Sequence, residues 1–384
     1  MNTTAKAHGM DGTLVEPDWP PLTLDEARAL LERYNEVAVE ILSVSPRPFS
    51  AASVIGTRSG RVFVKRHDAE VRDREGLLEE HRFMAHLRSR GAPVPRVLAS
   101  GSGETAIEVG KCVYEVHEAP EFVDLYEDAL SWTPFRAPAH ARSAGQALAR
   151  LHRASQGYAA PARKPRPLVA SFTIFAAADP AAQLDCYLDA RPSLVRIAQV
   201  REHCAQAFEL LAPFHAELIP LLAAHEPLWT HNDLHASNLL WSGDGDDARA
   251  SAVIDFGLAD RTNAVHDLAH AIERNIVEWL ALVERPEHPD SVLVHFDHLR
   301  ALLDGYESVR PLSGAEAAAL APMTALCHAE FALSEADYFR GVLRSEEKAH
   351  LASDDYLVGH ARWYRSAAGG RLLNAIRRWT EART

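Results

Sequence analysis

The chain has 384 residues, 47% of them hydrophobic, and a formal net charge of −13 at pH 7. That length supports a large core divided between two lobes. The acidic balance argues against a nucleic-acid partner, whose phosphates require basic surface, and leaves room for a cationic ligand. No apolar run approaches the roughly 20 residues of a bilayer-spanning helix, and the start Met1-Asn2-Thr3-Thr4-Ala5-Lys6 lacks a leader's apolar stretch. The expectation is a cytoplasmic protein with no membrane partner. Cys112, Cys186, Cys204 and Cys327 form no CxxC pair, as suits reduced structural thiols. Nothing in the sequence bears on oligomeric state.

In chain order, residues 1–21 read as a polar, mobile tail. Thr23-Leu24-Asp25-Glu26 then matches a capping box and starts a helix reaching about Tyr34. A Pro-containing stretch over residues 43–53 carries no glycine but has the small residues Ser50, Ala51, Ala52 and Ser53. Strand-like segments follow at residues 54–65, 97–100 and 105–116, the last split by a turn at Gly110-Lys111. Lys65 ends the apolar run Arg61-Val62-Phe63-Val64. Residues 70–90 predict a helix on which Glu80 falls on the same stripe as Leu77, Met84 and Leu87. A carboxylate there is costly unless paired, and Lys65 is the expected partner, with Glu79 solvated. Pro120 breaks the chain after the last strand. Helices are expected over residues 139–155 and 194–224 and through most of the chain after Val265, with Pro161-Ala162-Arg163-Lys164-Pro165-Arg166-Pro167 as an exposed connection.

The densest signal is His231-Asn232-Asp233-Leu234-His235-Ala236-Ser237-Asn238, followed by Val253-Ile254-Asp255-Phe256-Gly257. Asp233 precedes Asn238 by five residues, and Asp255 ends a short apolar run. A proton acceptor and two hard oxygen ligands in this order are what phosphoryl transfer from ATP requires. A metal-dependent hydrolase built on His231, Asp233 and His235, with His266, Asp267 or His270 as further ligands, is the competing reading. It leaves Asn238 and Asp255 without a role, whereas under the kinase reading His231 and His235 shape the loop.

The run from Leu228 to Asp260 resembles the aminoglycoside phosphotransferase and choline kinase superfamily, whose members phosphorylate hydroxyls of small molecules on a protein-kinase-like fold. Asn232 and Ser237 stand where that family often has glycine. The resemblance implies an α+β, two-lobed fold, with a small β-rich N-lobe over residues 22–118 and a larger, mainly helical C-lobe over 119–384. It also implies ATP and Mg²⁺ as cofactors and a small-molecule hydroxyl substrate. Asp233 becomes the catalytic base and Asn238 and Asp255 the Mg²⁺ ligands. Lys65 orients phosphates and is fixed by Glu80, Ser50 and Ser53 approach the phosphates, and Glu115 and Val116 lie at an adenine-contacting hinge. His266-Asp267-Leu268-Ala269 matches the family's helix after the metal aspartate.

The acceptor should reach Asp233 from the helices around it, which makes Asp267, Glu273, Arg274 and Glu330 the candidate acceptor residues, with Glu335 and Asp337 clustered beside Glu330. Glu273 or Glu330 would take an ammonium group and Arg274 a carboxylate, pointing to an amino alcohol, amino acid or aminoglycoside-like acceptor. The basic C-terminus, Arg377 to Thr384, differs from the carboxylate-ended tails of several aminoglycoside-modifying relatives. A protein Ser/Thr kinase is the other alternative, disfavoured because no Ala-Pro-Glu follows Asp255.

Overall fold

The structure is a computed structural model that describes residues 18–45 and 47–383, together with a two-residue strand pair, Lys6–Ala7 against Met10–Asp11. Most of the expected N-terminal tail therefore lies outside the described residues. The first helix, α1 (Leu24–Leu31), starts where the sequence places it: Thr23 Oγ1 accepts from the Glu26 amide, and the Glu26 carboxylate accepts from the Thr23 amide. A short 3₁₀ turn, Glu32–Tyr34, extends it.

Five antiparallel strands form the N-lobe sheet: β1 (Ala38–Val44), β2 (Ala51–Thr57), β3 (Arg61–Asp68), β4 (Ile107–Val109) and β5 (Cys112–Glu118), in the spatial order β1-β2-β3-β5-β4. The segment expected over residues 54–65 is thus a hairpin, turned at Gly60, whose φ of +151° favours glycine. Strand β1 was not anticipated, because its Val39, Leu42 and Val44 point to solvent along a sheet edge and give no buried alternation. Residues near 97 contribute only a single bridge, Val97 to His117. Lys65 faces Ala52 on one side and Glu115 on the other. Helix α2 (Arg74–Ser89) begins later than the periodicity suggests because the Asp73 carboxylate caps it, accepting from the Gly76 amide at 2.7 Å.

After Glu118 the chain enters a larger, mainly helical lobe with α3 (Pro138–Ser155), α4 (Pro180–Asp189), α5 (Val200–Leu218), α6 (Ala264–Ile276), α7 (Trp279–Glu284), α8 (Phe296–Glu307), α9 (Gly314–Leu326), α10 (His328–Gly341), α11 (Glu346–Leu351), α12 (Leu357–Tyr364) and α13 (Ala367–Glu381). Two antiparallel strand pairs lie among them: β6 (Leu228–Thr230) with β9 (Asp260–Thr262), and β7 (Leu239–Ser242) with β8 (Arg249–Val253). Helices α3 and α8 cross backbone to backbone at two glycines. A Cβ on Gly145 would sit 2.1 Å from the Leu302 carbonyl oxygen, and one on Gly305 would sit 2.1 Å from that of Arg142. This close approach lets His152 of α3 reach Tyr306 of α8 at 2.7 Å, a contact that returns at the site below.

The helical run Val200–Ala224 is, by length and apolar composition, long enough to cross a bilayer, which the sequence reading did not expect. Its pattern is that of a surface helix. Val200, Cys204, Ala207, Leu211 and Leu218 are buried in the lobe, while the opposite face is exposed and carries Glu202, Glu209 and Glu217.

Candidate active site

The sequence motif folds as a loop between β6 and β7 that ends in a 3₁₀ turn, Ala236–Asn238. Asn232 adopts the left-handed conformation (φ +60°), which Asn tolerates better than most residues, so it substitutes for a glycine. Its buried side chain also ties the loop down. Asn232 Oδ1 accepts from Thr230 Oγ1 at 2.9 Å and Thr262 Oγ1 at 3.1 Å, and Nδ2 donates to the Ala170 carbonyl at 3.2 Å.

Helix α6 is the template on which this loop is laid. Asp267 accepts from the backbone amides of His231 at 2.9 Å and Asn232 at 2.8 Å, and is itself held by His152 Nε2 at 2.9 Å. Two turns on, Asn275 accepts from the Ala236 amide at 2.9 Å and donates to the Leu234 carbonyl at 2.8 Å. Between them Arg274 places Nη1 3.2 Å from Asp233 Oδ1. Asp267 was expected at the acceptor. It is instead fully buried beneath the loop, where paired amides and His152 stabilise its ionised form against the burial that would raise its pKa.

Asp233 itself receives Asn238 Nδ2 on Oδ2 at 3.1 Å and on its backbone carbonyl at 2.9 Å. Burial raises its pKa to about 7, with Asp255 adding to the rise and the Arg274 charge opposing it. The two histidines serve the loop. His231 Nε2 lies 3.0 Å from the Ile254 carbonyl, and its Nδ1 accepts from the Asp233 amide at 3.2 Å, so both ring nitrogens are engaged. His235 Nδ1 contacts Ser237 Oγ at 2.8 Å, and burial together with Arg274 holds this imidazole neutral. This arrangement removes the observation that motivated a His231/Asp233/His235 metal centre.

Asp255 follows β8 in a left-handed conformation (φ +60°), with its Oδ1 3.0 Å from Lys65 Nζ. Burial alone would raise its pKa, but the charge and hydrogen bond of Lys65 keep the carboxylate ionised well below the usual range. The Ile254 amide donates to the Asn238 carbonyl at 3.0 Å, so the backbones bearing Asn238 and Asp255 are tied side by side. A side-chain amide oxygen and an ionised carboxylate, partly open to the cleft, are hard oxygen donors suited to Mg²⁺.

The expected Lys65–Glu80 pair does not form. Glu80 Oε1 lies 2.9 Å from Arg72 Nε and accepts from Arg163 Nη2 at 2.9 Å, while Lys65 turns to Asp255. Both arginines continue to the loop after Asp255: Arg72 Nη2 donates to the Gly257 carbonyl at 2.8 Å, and Arg163 Nη1 to the same oxygen at 3.1 Å. The connection over residues 161–167 is therefore not simply exposed, because Arg163 is buried and also engages Glu79 at 3.3 Å. Two buried cations outcompete one lysine because guanidinium forks satisfy a carboxylate and nearby carbonyls at once.

Ser50 lines the cleft between the lobes with Lys65, Asp233, Asn238 and Asp255. Ser53, fully buried in β2, does not line it. Nor do the hinge residues: Glu115 is buried among His67, His81 and His117, and the Val116 carbonyl accepts from the Leu98 amide at 2.7 Å. Of the remaining acceptor candidates, only Arg274 enters the cleft. Glu273 points away, 2.9 Å from His360 Nδ1. Glu330 braces the loop over residues 171–174, accepting from Ser171 Oγ, from Thr173 Oγ1 at 3.1 Å and from the Thr173 and Ile174 amides. Asp337 shares that face of α10 one heptad on and accepts from Ser193 Oγ. Of the three α10 carboxylates only Glu335, rotated about 140° from Glu330 at 100° per residue, enters the cleft.

Among the lining residues that the sequence does not mark, three bear on the chemistry. Arg47, in the glycine-free loop, donates to the Ala129 and Tyr126 carbonyls at 2.9 and 3.1 Å across the lobes. Trp132 and Phe331 pack against the Arg274 guanidinium, their ring centroids 4.5 and 4.2 Å from it. No periodicity marks a cation in a loop or an aromatic on the far side of a pocket; the one available signal was that the loop lacking glycine carries an arginine.

Residues 49–312 match the family model described as the phosphotransferase enzyme family. A curated relative, homoserine kinase of Methylobacterium radiotolerans, is 27% identical over 276 residues, covering 69% of this chain and 70% of the relative. Among solved structures, the microcompartment-associated aminopropanol kinase aligns with a TM-score of 0.58 and 19% identity over 90% of this chain and 99% of that one. An aminoglycoside phosphotransferase from Alicyclobacillus acidocaldarius aligns with a TM-score of 0.53 and 16% identity over 95% and 98%. The solved structures agree with the two-lobed fold, and the protein belongs to the phosphotransferase enzyme family.

Proposed function

We propose that this chain is an ATP- and Mg²⁺-dependent kinase that phosphorylates a hydroxyl of a small molecule bearing an ammonium group, a hydroxy amino acid before a plain amino alcohol. The observation that supports the acceptor class is the pairing, in one cleft with Asp233, of a cation and a carboxylate that both have unused polar atoms. Arg274 Nε and Nη2 and Glu335 Oε2 have no hydrogen-bond partner. A buried donor or acceptor left unpaired costs roughly 1–3 kcal/mol, so a ligand that supplies both partners recovers that cost. A carboxylate suits Arg274, steadied by two aromatic rings, and an ammonium suits Glu335. Burial lifts Glu335 to about 8, and a bound cation would draw it back to the ionised form.

In this reading Asp233 takes the acceptor's proton as the hydroxyl oxygen attacks the γ-phosphorus, and the bond from that phosphorus to the bridging oxygen of ADP breaks. Asn238 and Asp255 would hold Mg²⁺, which would offset the charge on the phosphates. Lys65 steers the phosphates. Arg47 and Ser50 close the cleft from the N-lobe side. The curated homoserine kinase and the aminopropanol kinase fit an amino-bearing acceptor.

The test is ADP release across homoserine, other hydroxy amino acids, amino alcohols and aminoglycosides, with the phosphorylated product identified by ³¹P NMR. Preference for a zwitterion, lost in Arg274→Gln, supports the reading. Turnover that survives Asp233→Asn, or that resists EDTA, overturns the assigned base or the Mg²⁺ role.

A further inference from the structure

The N-lobe holds a second constellation that the phosphotransfer reading does not use. His81 on α2 and Glu115 and His117 on β5 bring their ligand atoms within 4.8 Å of one another. His81 Nε2 is 2.9 Å and His117 Nε2 2.7 Å from Glu115 Oε2. His67, on β3, places its Nε2 2.9 Å from the other oxygen of the same carboxylate. The sequence brings them together for a simple reason: 115 and 117 share one face of β5, 67 shares that face on the neighbouring strand, and α2 lies over it.

From this convergence we infer that His81, Glu115 and His117 form a binding site for a transition-metal dication, best matched by Zn²⁺, between α2 and the sheet. Imidazole nitrogen and carboxylate oxygen are the donors zinc prefers, whereas Mg²⁺ keeps its waters and favours all-oxygen sites. The outer contacts fit as well. His81 Nδ1 lies 2.9 Å from Thr105 Oγ1, so a ring that ligates through Nε2 carries its proton on Nδ1 and gives it to a hydroxyl. His67 would orient Glu115 from its second oxygen. His81 and Glu115 are buried, and His117, with a side chain 13% exposed, supplies the entry path. Binding takes the tautomer of each ring that carries its proton on Nδ1, so the proton now shared between Nε2 and Glu115 moves to Nδ1 as the ion takes the Nε2 lone pair. The ion would clamp α2 to the strand next to Lys65, which faces Glu115 across the sheet.

The experiment uses the full chain, stripped with a chelator, equilibrated with Zn²⁺ in excess Mg²⁺ and freed of loose metal by gel filtration. Metal content is then read by mass spectrometry, and the Co²⁺-loaded protein by its visible d–d bands. The expectation is about one zinc per chain, lost in His81→Ala and in the partly exposed His117→Gln. His67→Ala should weaken binding roughly 10- to 100-fold. His350→Ala and His295→Ala, in the two other His-containing clusters of the described residues, should leave it unchanged. Zinc binding should also raise Tm in the wild type and not in His117→Gln. Absence of retained zinc overturns the site, as does zinc retained in His117→Gln or cobalt bands identical to the wild type's in that variant.

Discussion

Arg274 lies against Asp233, with Nη1 3.2 Å from Oδ1, and the two come from segments that meet because α6 runs beneath the loop that carries Asp233. The contact opposes the burial that lifts Asp233 to about 7 and leaves Arg274, a residue that lines the cleft, with Nε and Nη2 buried and unpartnered. In the proposed reaction one residue would therefore both tune the base and anchor the acceptor.

The pH dependence follows from the sign of that shift. The proton-accepting form of Asp233 is the carboxylate, so kcat/KM should fall as pH drops through about 7. Arg274→Gln removes a charge that favours the carboxylate and should move this limb to higher pH. A pH–rate profile of both proteins checks it, and a limb that stays in place in the variant rejects the coupling.

Removing the base should separate chemistry from binding. Asp233→Asn is expected to lower kcat by roughly 10²–10⁴-fold, the usual contribution of a positioned general base. Nucleotide affinity, read by calorimetry, should change little. A comparable loss of affinity would mean that Asp233 holds nucleotide rather than accepting a proton.

Glu80 should behave as a structural residue. Its carboxylate faces two buried arginines, so Glu80→Gln leaves both short of a counter-charge and should cost about 3–5 kcal/mol of stability. The midpoint of urea unfolding reports this. Lys65→Met, in contrast, should act chiefly on KM for ATP, since the lysine lies on Asp255 in the cleft. Glu80→Gln with wild-type stability and a raised KM for ATP would restore the pairing expected from the helix stripe.

Asp267 acts at one remove. Asp267→Asn keeps the shape but loses the charge that accepts from the amides of His231 and Asn232 and meets His152. Catalysis should fall through loosening of the loop, with KM for the acceptor nearly unchanged. A purely KM-based defect would instead place Asp267 in the acceptor pocket.

Much of this protein is local and was legible as such. The capping box at Thr23 and the turn at Gly110 depend on neighbours within a few residues, and the order Asp233, Asn238, Asp255 is a property of the chain itself, so the sequence alone determined them. The two-lobed, kinase-like fold followed from that ordered motif and the β-then-α layout around it. Choices among competing partners were decided only by the tertiary structure. Glu80 was correctly placed on a buried stripe, but nothing in a stripe tells a carboxylate to take Arg72 and Arg163, 83 residues away in the second case, in place of Lys65. Periodicity likewise grouped Glu330, Glu335 and Asp337, while packing sent one face of α10 to brace loops and turned Glu335 alone to the cleft. The physical reason is the same in each case. Backbone preferences act over a turn or a hairpin, whereas a buried charge settles on whichever opposite charge the whole fold brings within about 3 Å, where a charge-assisted hydrogen bond forms.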